Sequence, residues 1–224
     1  MRGTIGLHWQ IAAGLFLTLT TWGGMAYVRP AMGFLYPDGA RIIIFHVPCA
    51  WIACLAYITA AYHAVGVLRK PRDWFRSDAS CEAAMELGLL FSLLTTVTGS
   101  IFSRLQWGAF WSWDPRQTSI LVIMLLFAAY LVLRSAVTDP NLRARLSAAY
   151  ALLAVVPGLF LIWVLPRIVN TLHSGANQAV IGGGMDAQYR TVLYGLALPG
   201  FLCIYAWLMR LRIRAAMVIA AGSN

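Results

Sequence analysis

Six apolar runs dominate the chain, at residues 5–28, 42–68, 83–103, 117–137, 147–166 and 189–209. Each is long enough to cross a hydrocarbon core of about 30 Å at about 1.5 Å per helical residue. Lipid offers the backbone no hydrogen-bonding partner, so runs of this length are restricted to helices that satisfy themselves. Six spans take up roughly 120 residues, and the 224-residue chain holds them with short loops. Composition agrees: 60% of residues are hydrophobic, 11% are charged and the mean hydropathy is +0.72, against about 25% charged in a soluble domain. These values exclude a cytosolic globule, a disordered chain and a disulfide-stapled secreted domain. The expected fold is an all-α, polytopic membrane protein with six transmembrane helices in a single domain, 1–224. The first run follows Met1-Arg2 and could pass for a signal peptide. It exceeds the usual 7–15-residue apolar region and five more runs follow, so it is read as a retained helix.

The net charge of +9 rests on sixteen arginines and one lysine, Lys70. In a membrane protein such a surplus reports topology before it reports a polyanionic partner, because Lys and Arg collect in cytoplasmic segments. Eleven basic residues fall on one side: Arg2, Arg69, Lys70, Arg72, Arg76, Arg134, Arg143, Arg145, Arg210, Arg212 and Arg214. Six fall on the other: Arg29, Arg41, Arg104, Arg116, Arg167 and Arg190. Both termini are therefore expected in the cytoplasm, with outer loops 29–41, 104–116 and 167–188, and nucleic acid is not an expected partner. The four cysteines form no CxxC or CxxCH, so the chain is neither a disulfide scaffold nor itself a c-type cytochrome.

The four histidines sort by depth. His46 and His63 share the second run but stand roughly 25 Å apart along a helix, at its outer and cytoplasmic ends. They cannot share a metal. His8 opens the first run at the cytoplasmic side, and His173 lies in the third outer loop. His8 and His63 read as partly hydrated interfacial residues. Pro48 follows His46 closely, and a helix tolerates Pro best in its first turn, so His46 is expected at the mouth of its span. His173 follows Asn170 and Thr171 and precedes the glycine tract Gly182–Gly184, in a loop expected to move.

The densest feature is the segment WGAFWSWDPRQTS, residues 107–119. It puts Trp107, Trp111 and Trp113 within seven residues. In an extended strand all three would face one side, and in a helix Trp107 and Trp111 would. Either arrangement gives an aromatic surface at the outer membrane face. Headgroup anchoring is one reading, and a large flat apolar ligand is the other. Asp114 followed by Pro115 reads as a helix N-cap with Pro at the first helical position, which leaves room for a second role against Arg116 or a ligand.

This segment resembles the WWD motif of the haem-handling membrane proteins of cytochrome c maturation, within loop 104–119. HVPCAW (His46 to Trp51) and TLH (Thr171 to His173) also resemble the segments around that family's two haem-ligand histidines. By length and span number the chain most resembles the CcmC (haem exporter protein C) family. Asp114-Pro-Arg-Gln-Thr also leans toward the wording of the longer CcsA-type synthases. The resemblance implies His46 and His173 as axial ligands to haem iron, with Trp107, Trp111, Trp113 and Asp114 forming the loop against the macrocycle. It also implies haem b as cargo, a periplasmic site in a bacterial inner membrane, and delivery to a CcmE-like haem chaperone alongside CcmA, CcmB and CcmD-like subunits. A synthase subunit and a transporter moving haem through the bundle are the alternatives it leaves.

The chemistry is coherent with these residue types. Two neutral imidazoles give six-coordinate iron with no open position, and indoles suit the porphyrin face. Arginine forks suit the two propionates, with Arg116 and Arg104 first because they flank the tryptophan loop. Glu82 and Glu86 open the third span, where acids favour a helix N-terminus; pairing with Arg72 or Arg76 is expected. No catalytic triad or phosphate-cradling loop is visible, so the chain is read as a binding and delivery subunit, not an enzyme, with any ATP hydrolysis left to partners.

Overall fold

The computed structural model describes residues 4–69, 74–173 and 185–222. Among these, helices account for the regular structure and no strand occurs. Six helical units follow one another. They are α1 (Thr4–Trp22, continued by a π turn at Gly23–Tyr27), α2 (Ile43–Arg69), α3 (Trp74–Trp107), α4 (Pro115–Ala136), α5 (Pro140–Ile168) and α6 (Ala187–Gly222). Helices α2 to α6 are long and apolar enough to cross a membrane; α2 is extended there by the 3₁₀ turn Pro37–Ile42. Helix α1, which carries His8, Gln10 and four threonines, is not among these five. The result is the expected all-α polytopic membrane protein.

Local chemistry sets the boundaries. Asp114 caps α4 by accepting from the Arg116 amide at 2.9 Å, and Asp139 caps α5 by accepting from Leu142 at 2.6 Å; each is followed by Pro at the first helical position. Pro48 does not begin its helix. The 3₁₀ turn and a first α turn precede it, so it sits in the second turn of α2, and His46 occupies the first. Helix α3 is 34 residues long and starts well before residue 83. Its polar first turns survive because Arg134 of α4 grips Asp78 with two bonds (2.7 and 2.9 Å) and Glu82 with one (3.0 Å). Arg212 of α6 grips Glu86. The expected partners were Arg72 and Arg76; instead the acids pair with arginines on neighbouring helices. Arg72 lies outside the described residues.

The core is built on small residues. Ala53, Ala56, Ala60 and Ala64 of α2 and Ala144, Ala148, Ala151 and Ala154 of α5 are buried at helical spacing, the pattern that lets apolar helices approach closely. Helix α2 packs along α3 on one side and α5 on another, while α6 lies on α1 and α3. Tyr57 stacks on Phe127 at 4.0 Å and donates to the Ile123 carbonyl. A Cβ on Gly88 would lie 2.2 Å from the Phe127 ring, so that crossing admits only glycine. This packing brings the start of α2, the end of α3, the start of α4 and the end of α5 to one end of the bundle. The pairs made by Arg134 and Arg212 gather at the other.

Candidate functional site

At the first of these ends His46 and His173 line one cavity of about 130 Å³. Its other walls come from Gly99 and Ser100 of α3, Arg116, Gln117 and Ser119 of α4, and Leu161, Ile162 and Pro166 of α5. Helix α5 turns to this cavity through a π stretch, Phe160–Val164, between Pro157 and Pro166. Proline and a π turn are common causes of a bend in a long helix. The two histidines, one in a helix and one in a loop 127 residues later, meet only through this tertiary arrangement.

Each imidazole is held from behind. His46 Nδ1 lies 3.0 Å from Thr98 Oγ1. His173 Nδ1 faces Asp114 Oδ1 at 3.6 Å, and the ring packs edge-on to Trp107 at 4.8 Å. Burial, then the Arg116 charge, lowers the His173 pKa to about 4, against the pull of Asp114. His173 is therefore neutral at pH 7, in the form that binds iron.

Asp114 joins two loops. Besides capping α4, its carboxylate accepts from the Leu172 amide at 2.6 Å and the Thr171 hydroxyl at 3.2 Å. Thr171 in turn accepts from the His173 amide at 2.9 Å. The tryptophan loop itself is neither strand nor helix. Trp107 ends α3, Gly108 turns the chain at φ 81°, and Trp113 takes φ 58°, a left-handed conformation uncommon outside glycine. The three indoles consequently divide. Trp107 packs on His173, Trp111 lines the cavity, and Trp113 meets Trp111 edge-on at 5.7 Å while 68% exposed. Of the two arginines flanking the loop, Arg116 is on the cavity wall. Arg104 donates to the Gly108 carbonyl and lies 5.8 Å over Phe110, bracing the loop from outside.

Several contributors carried no sequence signal that was read. Gln117 accepts from the Ser112 amide (2.8 Å) and donates to Ser103 (3.2 Å), pinning the loop to α3. Its position inside the tryptophan motif could have drawn notice. Phe102 meets both Trp107 and His173, and nothing in its apolar surroundings marks it. His63 sits far along α2 against Tyr62, and His8 is exposed on α1; neither reaches the cavity. The tract Gly182–Gly184 lies outside the described residues.

The family model described as Heme exporter protein C matches residues 3–222. The chain belongs to this family, CcmC. Among its relatives, the Heme exporter protein C of Paracoccus denitrificans is 31% identical over 93% of this chain and 85% of its own length. That of Haemophilus influenzae is 32% identical over 91% and 82%. A ccmC-like mitochondrial protein of cytochrome c biosynthesis from Marchantia polymorpha is 31% identical over 80% and 71%. Membership of CcmC decides between the two subfamilies that the Asp-Pro-Arg-Gln-Thr wording left open, and the family is one of haem handling in cytochrome c maturation.

Proposed function

We propose that this CcmC-family chain binds haem b as cargo at the periplasmic face of the inner membrane and hands it to a CcmE-like chaperone. The observation that carries this reading is the convergence of His46 and His173 on one cavity. The residues fit the cargo. Two imidazoles would take the iron, with His173 already neutral. Trp111 at the cavity and Trp107 and Trp113 beside it offer aromatic surface to a macrocycle. Arg116 is the first candidate for a propionate, while Arg104 acts by stiffening the loop. Iron held by two imidazoles has no open position, which suits a carrier that must not begin oxygen chemistry.

The chain acts as a binding and delivery subunit. On this reading both imidazoles of the cavity are taken up by iron and are not free to act as a general base. Covalent attachment to the chaperone and ATP-driven steps then belong to the CcmE-, CcmA-, CcmB- and CcmD-like partners. The periplasmic orientation rests on the imbalance of eleven basic residues against six.

The test is spectroscopic. Protein purified with haem is expected to give a six-coordinate, low-spin spectrum. His46→Ala and His173→Ala should each convert it, whereas His8→Ala and His63→Ala should leave it unchanged. Low-spin spectra in both of the first two variants would overturn the reading.

A further inference from the structure

Helix α3 carries a feature that the tryptophan loop does not account for: the seat of His46. Thr98 Oγ1 lies 2.7 Å from the Leu94 carbonyl and 3.2 Å from the Thr95 carbonyl, and 3.0 Å from His46 Nδ1. A hydroxyl has one proton and two acceptor sites. Carbonyl oxygens only accept, so the Thr98 proton is committed to its own helix backbone. The oxygen that faces His46 is thereby left as an acceptor, and we infer that the proton in the 3.0 Å contact comes from Nδ1. A neutral imidazole carries one N–H. Nε2 is then the nitrogen with the free lone pair.

Gly99, the next residue, supplies the room. A Cβ built there would stand 2.9 Å from His46 Cε1, closer than a ring can lie without moving. The imidazole thus rests across the one position of this turn that has no side chain, with its Nδ1–Cε1 edge on α3. Gly99 and His46 line the same cavity.

We propose that Thr98 and Gly99 are positioning residues: they fix the Nδ1–H tautomer and the ring angle of His46 so that Nε2 is presented to iron. The inference rests on the haem-ligand reading above and goes beyond it by naming what prepares the ligand on the α2 side. Histidines that bind metal usually donate their other N–H to an oxygen that sets orientation and basicity, and loss of that partner costs about 10–100-fold in affinity.

The test has one arm without haem and one with it. In haem-free, ¹⁵N-histidine-labelled protein in detergent, the His46 imidazole (assigned by its loss in His46→Ala) should show a protonated Nδ1. Thr98→Ser should keep that signature, and Thr98→Val should mix in the Nε2–H form. Loaded with haem, Thr98→Val should lose about 10–100-fold in haem affinity and raise the midpoint potential, because a weaker donor leaves ferric iron less stabilised. Thr98→Ser should restore both. Gly99→Ala should lower affinity by displacing the ring while the thermal midpoint stays near wild type. Wild-type tautomer, affinity and potential in Thr98→Val would overturn the seat, as would a Thr98→Ser variant as impaired as Thr98→Val. A spectrum unaltered by His46→Ala would instead overturn the underlying ligand reading, so the two failures are distinguishable.

Discussion

Asp114 accepts from the amide of Arg116, the hydroxyl of Thr171 and the amide of Leu172, which is more than a helix cap requires. The cap alone is worth about 1 kcal/mol. The other two bonds close the loop onto the two residues before His173. Asp114→Ala should therefore lose stability in detergent melts by more than the cap value, and haem affinity by about 10–100-fold. Asp114→Asn can keep one oxygen for the cap, but its NH2 then faces the Leu172 amide and the carboxylate beside His173 Nδ1 is lost, so it should lose part of the bridge's stability as well as haem affinity. A loss in Asp114→Ala no larger than the cap value would show that the second role is absent. The cap was legible in the sequence because Asp-Pro before an apolar run has a local cause. The bridge was not, since its partners lie 57 and 58 residues away. Thr98 was hidden differently. A threonine in an apolar helix bonds back to its own backbone, as Thr98 does, and the contact with His46 exists only once α2 lies alongside.

At the scale of elements, hydrophobic runs located all six helices but misjudged α3, whose first turns look too polar to belong to a span. The physical reason is pairing: a hydropathy window sees Asp78 and Glu82 but not Arg134, which satisfies both from α4 at 2.7–3.0 Å. Arg134, counted with the cytoplasmic arginines in the sequence, is buried, with 7% of its side chain exposed. Removing it would strand the buried Asp78 carboxylate in the bundle and leave Glu82 without this partner. Arg134→Ala should destabilise the protein by about 3–5 kcal/mol, measured by denaturation in detergent. Arg134→Lys should recover only part of this, because an ammonium cannot reproduce the two-pronged grip on Asp78. Full recovery with lysine would mean that charge alone matters there.

For the whole molecule, the apolar residues on the outside are the counterpart of lipid, and they include Leu15, Leu125, Leu153 and Val156. Helices α2 to α6 alternate in direction, since the starts of α2 and α4 meet the ends of α3 and α5 at the cavity and Arg212 late in α6 meets Glu86 early in α3. With the positive side inside, alkaline phosphatase fused within loop 104–116 should be active and one fused between α4 and α5 inactive; the reverse pattern would turn the molecule over and place the cavity in the cytoplasm. The two imidazoles of the cavity are also mounted differently. His46 is mounted on a helix and backed by another, while His173 follows the end of α5, where Asp114 holds Thr171 and Leu172 and the Trp107 ring packs against its imidazole. On the proposed reading the two iron bonds would not part together. His173, with Leu172 and Thr171 peeling from Asp114, would let go first, leaving the cargo on a one-sided mount that an incoming acceptor could approach.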